Sequence, residues 1–553
     1  MAIKQVWLTL ASLALGAWAA AANGQSTVRP YIYDTHTGAV AQAMGPVGRD
    51  PYNVAFGSYE LVSTLTHPEP ATLDYFGGNW GVALDGEFAF VGAGLDDVMG
   101  VPDAGSVHVY GYDGGDWVLR QTLTAPTPSY LGHFGVFVAV DGPTLAVGEP
   151  GYGTGQNAVH IFRLGPTGWV WEARLSQGYF EFGYGLDVEG DALVAMDRWM
   201  GAAWVFDRQA AGTWVQRGDI LQGSTPFGNY AAAIEGDTVA LGSIYGGDPV
   251  AGFVDIFRWD GTTWVKETTL AHPEDSKDFG HDLDLQGDQL IVGSRGDDRM
   301  AYRGSVFLYE RSGSTWSLVQ TIVPDDAVSG TQFGGAVDLE GTTLVVGAPG
   351  SNQGYSPWNG VPTFPGRVYL YALEGGTWVQ RARIDSPDDE AGATGNHADC
   401  FGGSVALDDG RLLVGASGAD VGTVVDAGKA YLYHHHEVGF DGFFDPVDNP
   451  PVANVVKAGS TVPLKWRLTD AAGNPITDLT AVTVMARTRP CALGETDDLP
   501  EEYAAGASGL QNLGDGYYQF NWKTPKSYAR SCKTLHIDLG EGLTRTALFT
   551  FER

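Results

Sequence analysis

FGGSVALDDGRLLVGA, residues 401–416, is the stretch on which the fold turns. It opens on Phe401-Gly402, alternates small or apolar residues with others through Asp408, and turns at Asp409-Gly410. It then runs apolar through Leu412, Leu413 and Val414. Alternation at period two marks a half-buried strand, an Asp-Gly pair a tight hairpin, and a short apolar run a strand covered on both faces. The phrase occurs seven times, at Phe76-Gly77, Phe134-Gly135, Phe182-Gly183, Phe227-Gly228, Phe279-Gly280, Phe333-Gly334 and Phe401-Gly402. Separations of 58, 48, 45, 52, 54 and 68 residues suit a unit of four strands joined by loops of variable length. A repeat of this size, all strand and turn, predicts a β-propeller.

The rest of each unit fits that reading. The hairpins are Asp85-Gly86, Asp141-Gly142, Glu189-Gly190, Glu235-Gly236, Gln286-Gly287, Glu340-Gly341 and Asp409-Gly410. A third strand closes on Tyr110, Phe162, Phe206, Phe257, Tyr309, Tyr371 or Tyr433, and six of these have Gly five residues earlier. A fourth strand opens on Trp117, Trp169, Trp214, Trp264, Trp316 or Trp378, with Leu or Ile six residues on. YELVSTL, from Tyr59 to Leu65, matches this fourth strand but precedes the first Phe-Gly, while the seventh unit lacks one. The N-terminal strand is therefore expected to complete the last sheet, giving seven full blades and a closed ring. The Phe of each Phe-Gly is expected to fill the wedge between blades. These roles are structural, and no chemistry is assigned to them.

The 553 residues carry 66 acidic and 32 basic side chains, a net charge of −34. Such acidity argues against nucleic acid, whose recognition needs clustered Lys and Arg, and against anionic membrane surfaces. Lys4, the apolar run Val6–Ala22 and the small pair Ala17 and Ala19 read as an export signal over 1–22. No later segment reaches the ~20 apolar residues of a spanning helix. The expectation is a secreted bacterial protein in an oxidising compartment. Residues 23–56 carry no repeat, and RPYIYDTHTG there is left open between an extra strand and a packing arm.

Together the seven phrases resemble the FG-GAP repeat family, the propeller type of integrin α-subunit heads, over about residues 57–436. Calcium-binding members of that family carry a D-x-D-x-D-G loop after Phe-Gly. All seven copies here replace it with the short acidic-Gly turn, so calcium at the usual place is not expected and no cofactor is assigned. The loops after the apolar run offer a weaker metal option. Asp96, Asp97 and Asp103 share one loop, Asp297 and Asp298 a second, and Asp420 and Asp426 a third. Cys400, beside Phe401, reads as a buried inert thiol. Arg295-Gly296-Asp297 and the run His434-His435-His436 read as products of turn and strand composition rather than as adhesion or metal motifs.

EVGFDGFFDPVDNPP, residues 437–451, reads as a connector, placed at 437–450, after which the repeat disappears. Short alternating strands over 451–553 predict an immunoglobulin-like β-sandwich, so the whole chain is read as all-β. NVVKAGSTVPLKW at 454–466 and YYQFNWKTPKSYARSCKTLHIDLGEGLTRTALFTF at 517–551 resemble the PxKF family of bacterial extracellular modules. The signature stands here as Pro463-Leu464-Lys465-Trp466, and the family implies an accessory module with no catalytic residue. Cys491 and Cys532 lie inside this domain and are expected to pair. Lys523, Lys526, Arg530 and Lys533 form a local basic cluster, read as a solvated face.

The function expected is non-catalytic binding or adhesion, with the loop-lined propeller face contacting an extracellular polysaccharide or protein. Loops 350–365 and 418–427 are the candidate contacts, and Tyr355, Trp358 and Phe364 crowd the first of them. A propeller hydrolase or lyase is the alternative and requires carboxylates, His or Tyr converging at the axis. A structural surface or matrix component is a third.

Overall fold

The computed structural model describes residues 31–34, 39–42 and 58–552, except 79, 114–115, 152–155, 178–180, 211, 226–228, 245–251, 274–276, 297–302, 328–329, 351–365, 389–398, 437–438, 450–451, 470–474, 477–482, 490–500, 504–509 and 539–543. The chain divides into two compact units, Met1–Arg49 and Asp50–Arg553. In the first, Tyr31–Asp34 and Ala39–Gln42 pair antiparallel with each other, so the YIYD part of RPYIYDTHTG is a strand. The expected export segment lies outside the described residues.

The second unit is built of strands, and among its described residues there is no α-helix. Its larger part is a succession of antiparallel sheets built on a meander of four strands, in chain order in all but the last, and in the sheet opening on Phe182–Glu189 a fifth strand, Leu221–Gln222, also pairs with Ala202–Arg208. The first sheet runs Val82–Asp85, Phe88–Ala93, Ser106–Tyr112 and Trp117–Leu123. Five more follow the same plan, opening on Val138–Asp141, Phe182–Glu189, Asn229–Glu235, Lys277–Gln286 and Ala336–Glu340. The last consists of Ser404–Asp408, Arg411–Ala416 and Lys429–His436, and its fourth strand is Ser58–Thr66. Each innermost strand neighbours that of the next sheet, and Ser404–Asp408 neighbours Val82–Asp85. The result is an all-β, propeller-like ring.

The sequence pattern explains the packing. Second strands such as Thr144–Glu149 and Thr238–Ser243 are buried along their whole length, as their unbroken apolar runs require. The Phe-Gly aromatics Phe76, Phe134, Phe182, Phe279, Phe333 and Phe401 are fully buried. Phe134 meets Phe162 of its own sheet edge-on at 6.1 Å and joins Phe90, Val107 and Val109 of the preceding sheet in one core. That is the wedge between sheets. Gly105, at φ +84, starts the third strand of the first sheet, where a Cβ would overlap the Phe134 carbonyl oxygen. Glycine is required there by both conformation and space.

The C-terminal part forms two further sheets. One runs Gly439–Phe444, Thr461–Thr469, Tyr517–Lys523 and Leu510–Gly514 in spatial order. The other runs Ala453–Lys457, Thr544–Glu552, Cys532–Asp538, Thr483–Arg489 and Glu501–Tyr503, its first pair parallel. Trp466, Tyr518, Trp522, Leu535, Ile537, Phe549 and Phe551 share one core between them. The segment expected as a connector differs from that reading. Gly439–Phe444 pairs with Thr461–Thr469, because Phe443 buries in this core and Phe440 packs against it. The basic cluster divides as well. Lys523, Lys526 and Arg530 are exposed, while Lys533 is buried with its ammonium 4.5 Å from the centre of the Tyr528 ring.

Candidate functional site

The innermost strands enclose a cavity of about 260 Å³ on the ring axis, lined by Trp80 and by backbone and side chains from all seven sheets. Its lining is mainly apolar, with small residues such as Ala83, Ala139, Ala232 and Ala406 among it. Four carboxylates interrupt that lining: Asp187, Asp282, Asp284 and Asp338. Period-two geometry puts them there, since Asp282 and Asp284 share one face of Lys277–Gln286.

Each carboxylate reaches sideways to the next sheet. Asp187 Oδ2 accepts the Ile234 N–H at 2.8 Å, Asp282 Oδ2 the Val337 N–H at 2.9 Å, and Asp284 Oδ2 the Leu339 N–H at 2.6 Å. Asp338 Oδ2 accepts the Leu407 N–H at 2.6 Å. The hairpin residues continue the pattern. Asp85 accepts from Gly142, Asp141 from Gly190, Glu189 from Gly236, Gln286 from Gly341, Glu340 from Asp409, and Asp408 from Gly86. Side-chain oxygens thus satisfy backbone amides of the neighbouring inner strand. The acidic-Gly turn thus bonds blade to blade as well as turning the chain.

Proton affinity follows from this burial. Desolvation pushes Asp187 up to about 8 and Asp282 to about 7, against the lowering effect of their backbone donors. Asp338 rises well above the ordinary range, through burial and the adjacent charge of Asp284. Asp284 is raised as well by burial, with its backbone donor Leu339 and the neighbouring Asp338 carboxyl working against the rise. At the hairpin end, Asp85 is pushed up to about 7 and Asp408 to about 6 by burial and by neighbouring carboxylates. At the other end Trp80 stacks on Phe137 at 5.3 Å and on His281 at 5.2 Å, and Tyr184 lies 4.6 Å from Phe137. This aromatic group covers the axis on the side where the Phe-Gly turns lie.

The loops at that side hold several exposed apolar side chains. Antiparallel connectivity brings the loops before each first strand and those between second and third strands to one end of the sheets. There Met99 is 87% exposed, Tyr130 59% and Trp199 54%, with Leu73, Tyr75, Met200 and Val425 also exposed. Their loops are braced. Asp97 Oδ1 accepts the Asp103 N–H at 3.0 Å, and Asp420 Oδ1 accepts the Asp426 N–H at 2.9 Å. Val98–Val101 and Val421–Val424 close matching small bridges inside the two loops. Asp197 Oδ1 accepts the N–H groups of both Trp199 and Met200 at 2.8 Å.

These placements bear on each candidate residue. Asp97, Asp103, Asp420 and Asp426 take part in loop bracing, while Asp96 turns inward to the Ser106 hydroxyl at 2.6 Å. Asp297, Asp298, Tyr355, Trp358, Phe364 and Cys491 lie outside the described residues. Cys532 is buried at the start of its strand. Cys400 is buried, its thiol pushed up to about 12 by desolvation. Arg295 pairs with Asp278 at 3.4 Å. The axial carboxylates were not singled out from sequence. HDLDLQG and AVDLEG do place Asp on the strand face opposite Leu, a signal that was there to be used.

The FG-GAP repeat family model matches residues 59–110, 316–371 and 378–433, so the chain carries FG-GAP repeats in three regions. No curated protein matches it. A solved structure similar to it is that of "a putative 6-phosphogluconolactonase" from Bacteroides uniformis, at 13% identity and a TM-score of 0.41. That match covers 66% of this chain and 94% of the other. Among the described residues no helix is long and apolar enough to cross a membrane.

Proposed function

We propose that this chain, which carries FG-GAP repeats, is a secreted, non-catalytic binding protein of the bacterial surface. In this reading it has a seven-bladed propeller and an immunoglobulin-like C-terminal domain of PxKF type. The observation that carries the binding role is the row of exposed Tyr75, Tyr130, Trp199 and Met99 on braced loops at one end of the sheets. Aromatic side chains held in place by their loops offer large contact area at small entropic cost, as suits stacking on sugar rings or on an extended peptide.

The hydrolase or lyase reading draws on the neighbouring buried carboxyls of Asp284 and Asp338. Their oxygens, however, accept backbone N–H groups of the next sheet, which suits a brace between blades better than a mobile acid and base.

The test is an array of polysaccharides and extracellular-matrix proteins, read for both binding and product. Saturable binding without product, weakened at least tenfold in Tyr130→Ala/Trp199→Ala, supports the proposal. Release of product overturns it, and undiminished binding by the double variant overturns the assignment to this loop face.

A further inference from the structure

The first blade holds a buried polar cluster outside the axis and the loop rim. His67, just past the ring-closing strand Ser58–Thr66, meets Asp96 from the loop after Phe88–Ala93 and His108 from Ser106–Tyr112. One ligand atom from each lies within 4.8 Å of the others. His67 is 6% exposed and His108 1%, while the Asp96 side chain is 18% exposed and leaves an approach from solvent. The two imidazole rings meet edge to face at 4.4 Å.

Three features distinguish this cluster from a satisfied hydrogen-bond network. First, His67 Nε2 is buried and makes no hydrogen bond. Second, it stands 3.4 Å from Asp96 Oδ2. By contrast, a different histidine–carboxylate pair in the next blade, His160 Nε2 and Glu149 Oε2, closes to an ordinary 2.7 Å. Third, His108 Nε2 approaches the same point, 3.0 Å from Ser106 Oγ, which itself lies 2.6 Å from Asp96 Oδ2. Two ligands bound at ~2.0–2.1 Å with tetrahedral angles stand about 3.3 Å apart. The His67–Asp96 separation has that value.

We propose that His67 Nε2, Asp96 Oδ2 and His108 Nε2 form a site for a zinc-class divalent ion, with Ser106 Oγ or water as the fourth ligand. Two imidazoles and one carboxylate suit zinc or cobalt rather than calcium, which takes six or more oxygens. Binding at Nε2 places the remaining ring proton of His67 on Nδ1. That atom now accepts the Glu69 N–H at 3.2 Å and has Asp74 Oδ2 at 3.7 Å. Asp74 becomes the acceptor of that proton, orienting the ring as outer carboxylates do at metal-bound histidines. The ion would tie the segment after the ring-closing strand to the first blade, so its binding is coupled to ring closure.

The experiment uses the full chain without an affinity tag, with His434, His435 and His436 replaced by Ala to remove the other histidine cluster. After chelation, the protein is titrated with zinc and with cobalt. The expected result is one equivalent bound, a tetrahedral cobalt spectrum, and a melting temperature that rises with zinc concentration. Asp96→Asn and His67→Gln, checked for folding by circular dichroism, are expected to weaken zinc at least tenfold and to abolish the thermal shift. His160→Gln, in the neighbouring blade, leaves both unchanged. X-ray absorption of the zinc form provides a readout independent of the variants, with two imidazoles in the ligand shell expected. Absence of stoichiometric binding, a shell without imidazole, or zinc affinity unchanged in Asp96→Asn overturns the proposal.

Discussion

Gln121 and Trp169 exchange two hydrogen bonds between the outermost strands of successive sheets. Gln121 Nε2 donates to the Trp169 carbonyl at 2.7 Å, and the Trp169 N–H donates to Gln121 Oε1 at 2.9 Å. Gln320 and Trp378 repeat the exchange at 2.8 Å in both directions. The side-chain amide behaves as one residue of an additional strand. Replacing Gln121 by Leu leaves a peptide donor and acceptor without partners and is expected to cost about 1–3 kcal/mol. Gln121→Glu keeps the acceptor, loses the donor, and should fall between wild type and Gln121→Leu. Urea unfolding of the three proteins side by side checks the order.

Stability should fall as pH rises. The axial and hairpin carboxylates Asp187, Asp282, Asp85 and Asp408 bind protons more tightly folded than unfolded, with folded values of about 8, 7, 7 and 6 against 3.8. Between pH ~4 and ~8 the folded chain therefore holds protons that the unfolded chain releases. The stabilisation they contribute is fully present below the unfolded value and is lost as pH passes through the folded ones. Melting temperature is expected to be higher at pH 5 than at pH 8. Asp338→Asn, which keeps an acceptor for Leu407 and a donor for Asp284, should flatten that dependence and raise stability at pH 8. A melting temperature that climbs from pH 5 to pH 8 would refute the assignment.

Gly105→Ala tests the contact between sheets. The methyl group would meet the Phe134 backbone, and φ +84 disfavours any side chain. A loss of several kcal/mol is expected, well above the ~1 kcal/mol scale of an ordinary substitution. Gly86→Ala is the control. Its φ is also positive, at +56, but nothing lies within 4 Å of a Cβ there, so only the conformational cost remains.

Trp466→Ala tests the C-terminal sheets. Trp466 is fully buried in a core drawn from the C-terminal part alone, and truncation is expected to cost about 3–5 kcal/mol. The loss should appear as an early calorimetric transition, with the ring's own melting little changed.

The ring was legible because its signals are local and repeated. Phe-Gly, acidic-Gly and the apolar run recur in fixed order, and the displaced YELVSTL foretold the pairing of Ser58–Thr66 with Lys429–His436. What escaped the reading depends on direction across sheets. Glu340 and Asp408 read as hairpin formers or strand ends, yet each carboxylate bonds an amide in another blade, a relation that no single repeat encodes. Asp338 lies in an alternating strand, and alternation alone does not say which of its faces looks onto the axis. The His67–His108 meeting was equally invisible, since one residue follows the closing strand and the other sits inside a different sheet. The Gly439–Phe444 strand was read as a connector because its Pro-rich flank resembles a linker, while its pairing partner lies some twenty residues on.

The closing strand also sets an order of events in synthesis. Ser58–Thr66 leaves the ribosome early, but its partner Lys429–His436 is made more than three hundred residues later. At ~5–20 residues per second the wait is on the order of tens of seconds. For that interval the strand has no neighbour, and its unpaired backbone could join the wrong chain. Escorting that strand until the last blade arrives is thus a task for the cell as well as for the sequence.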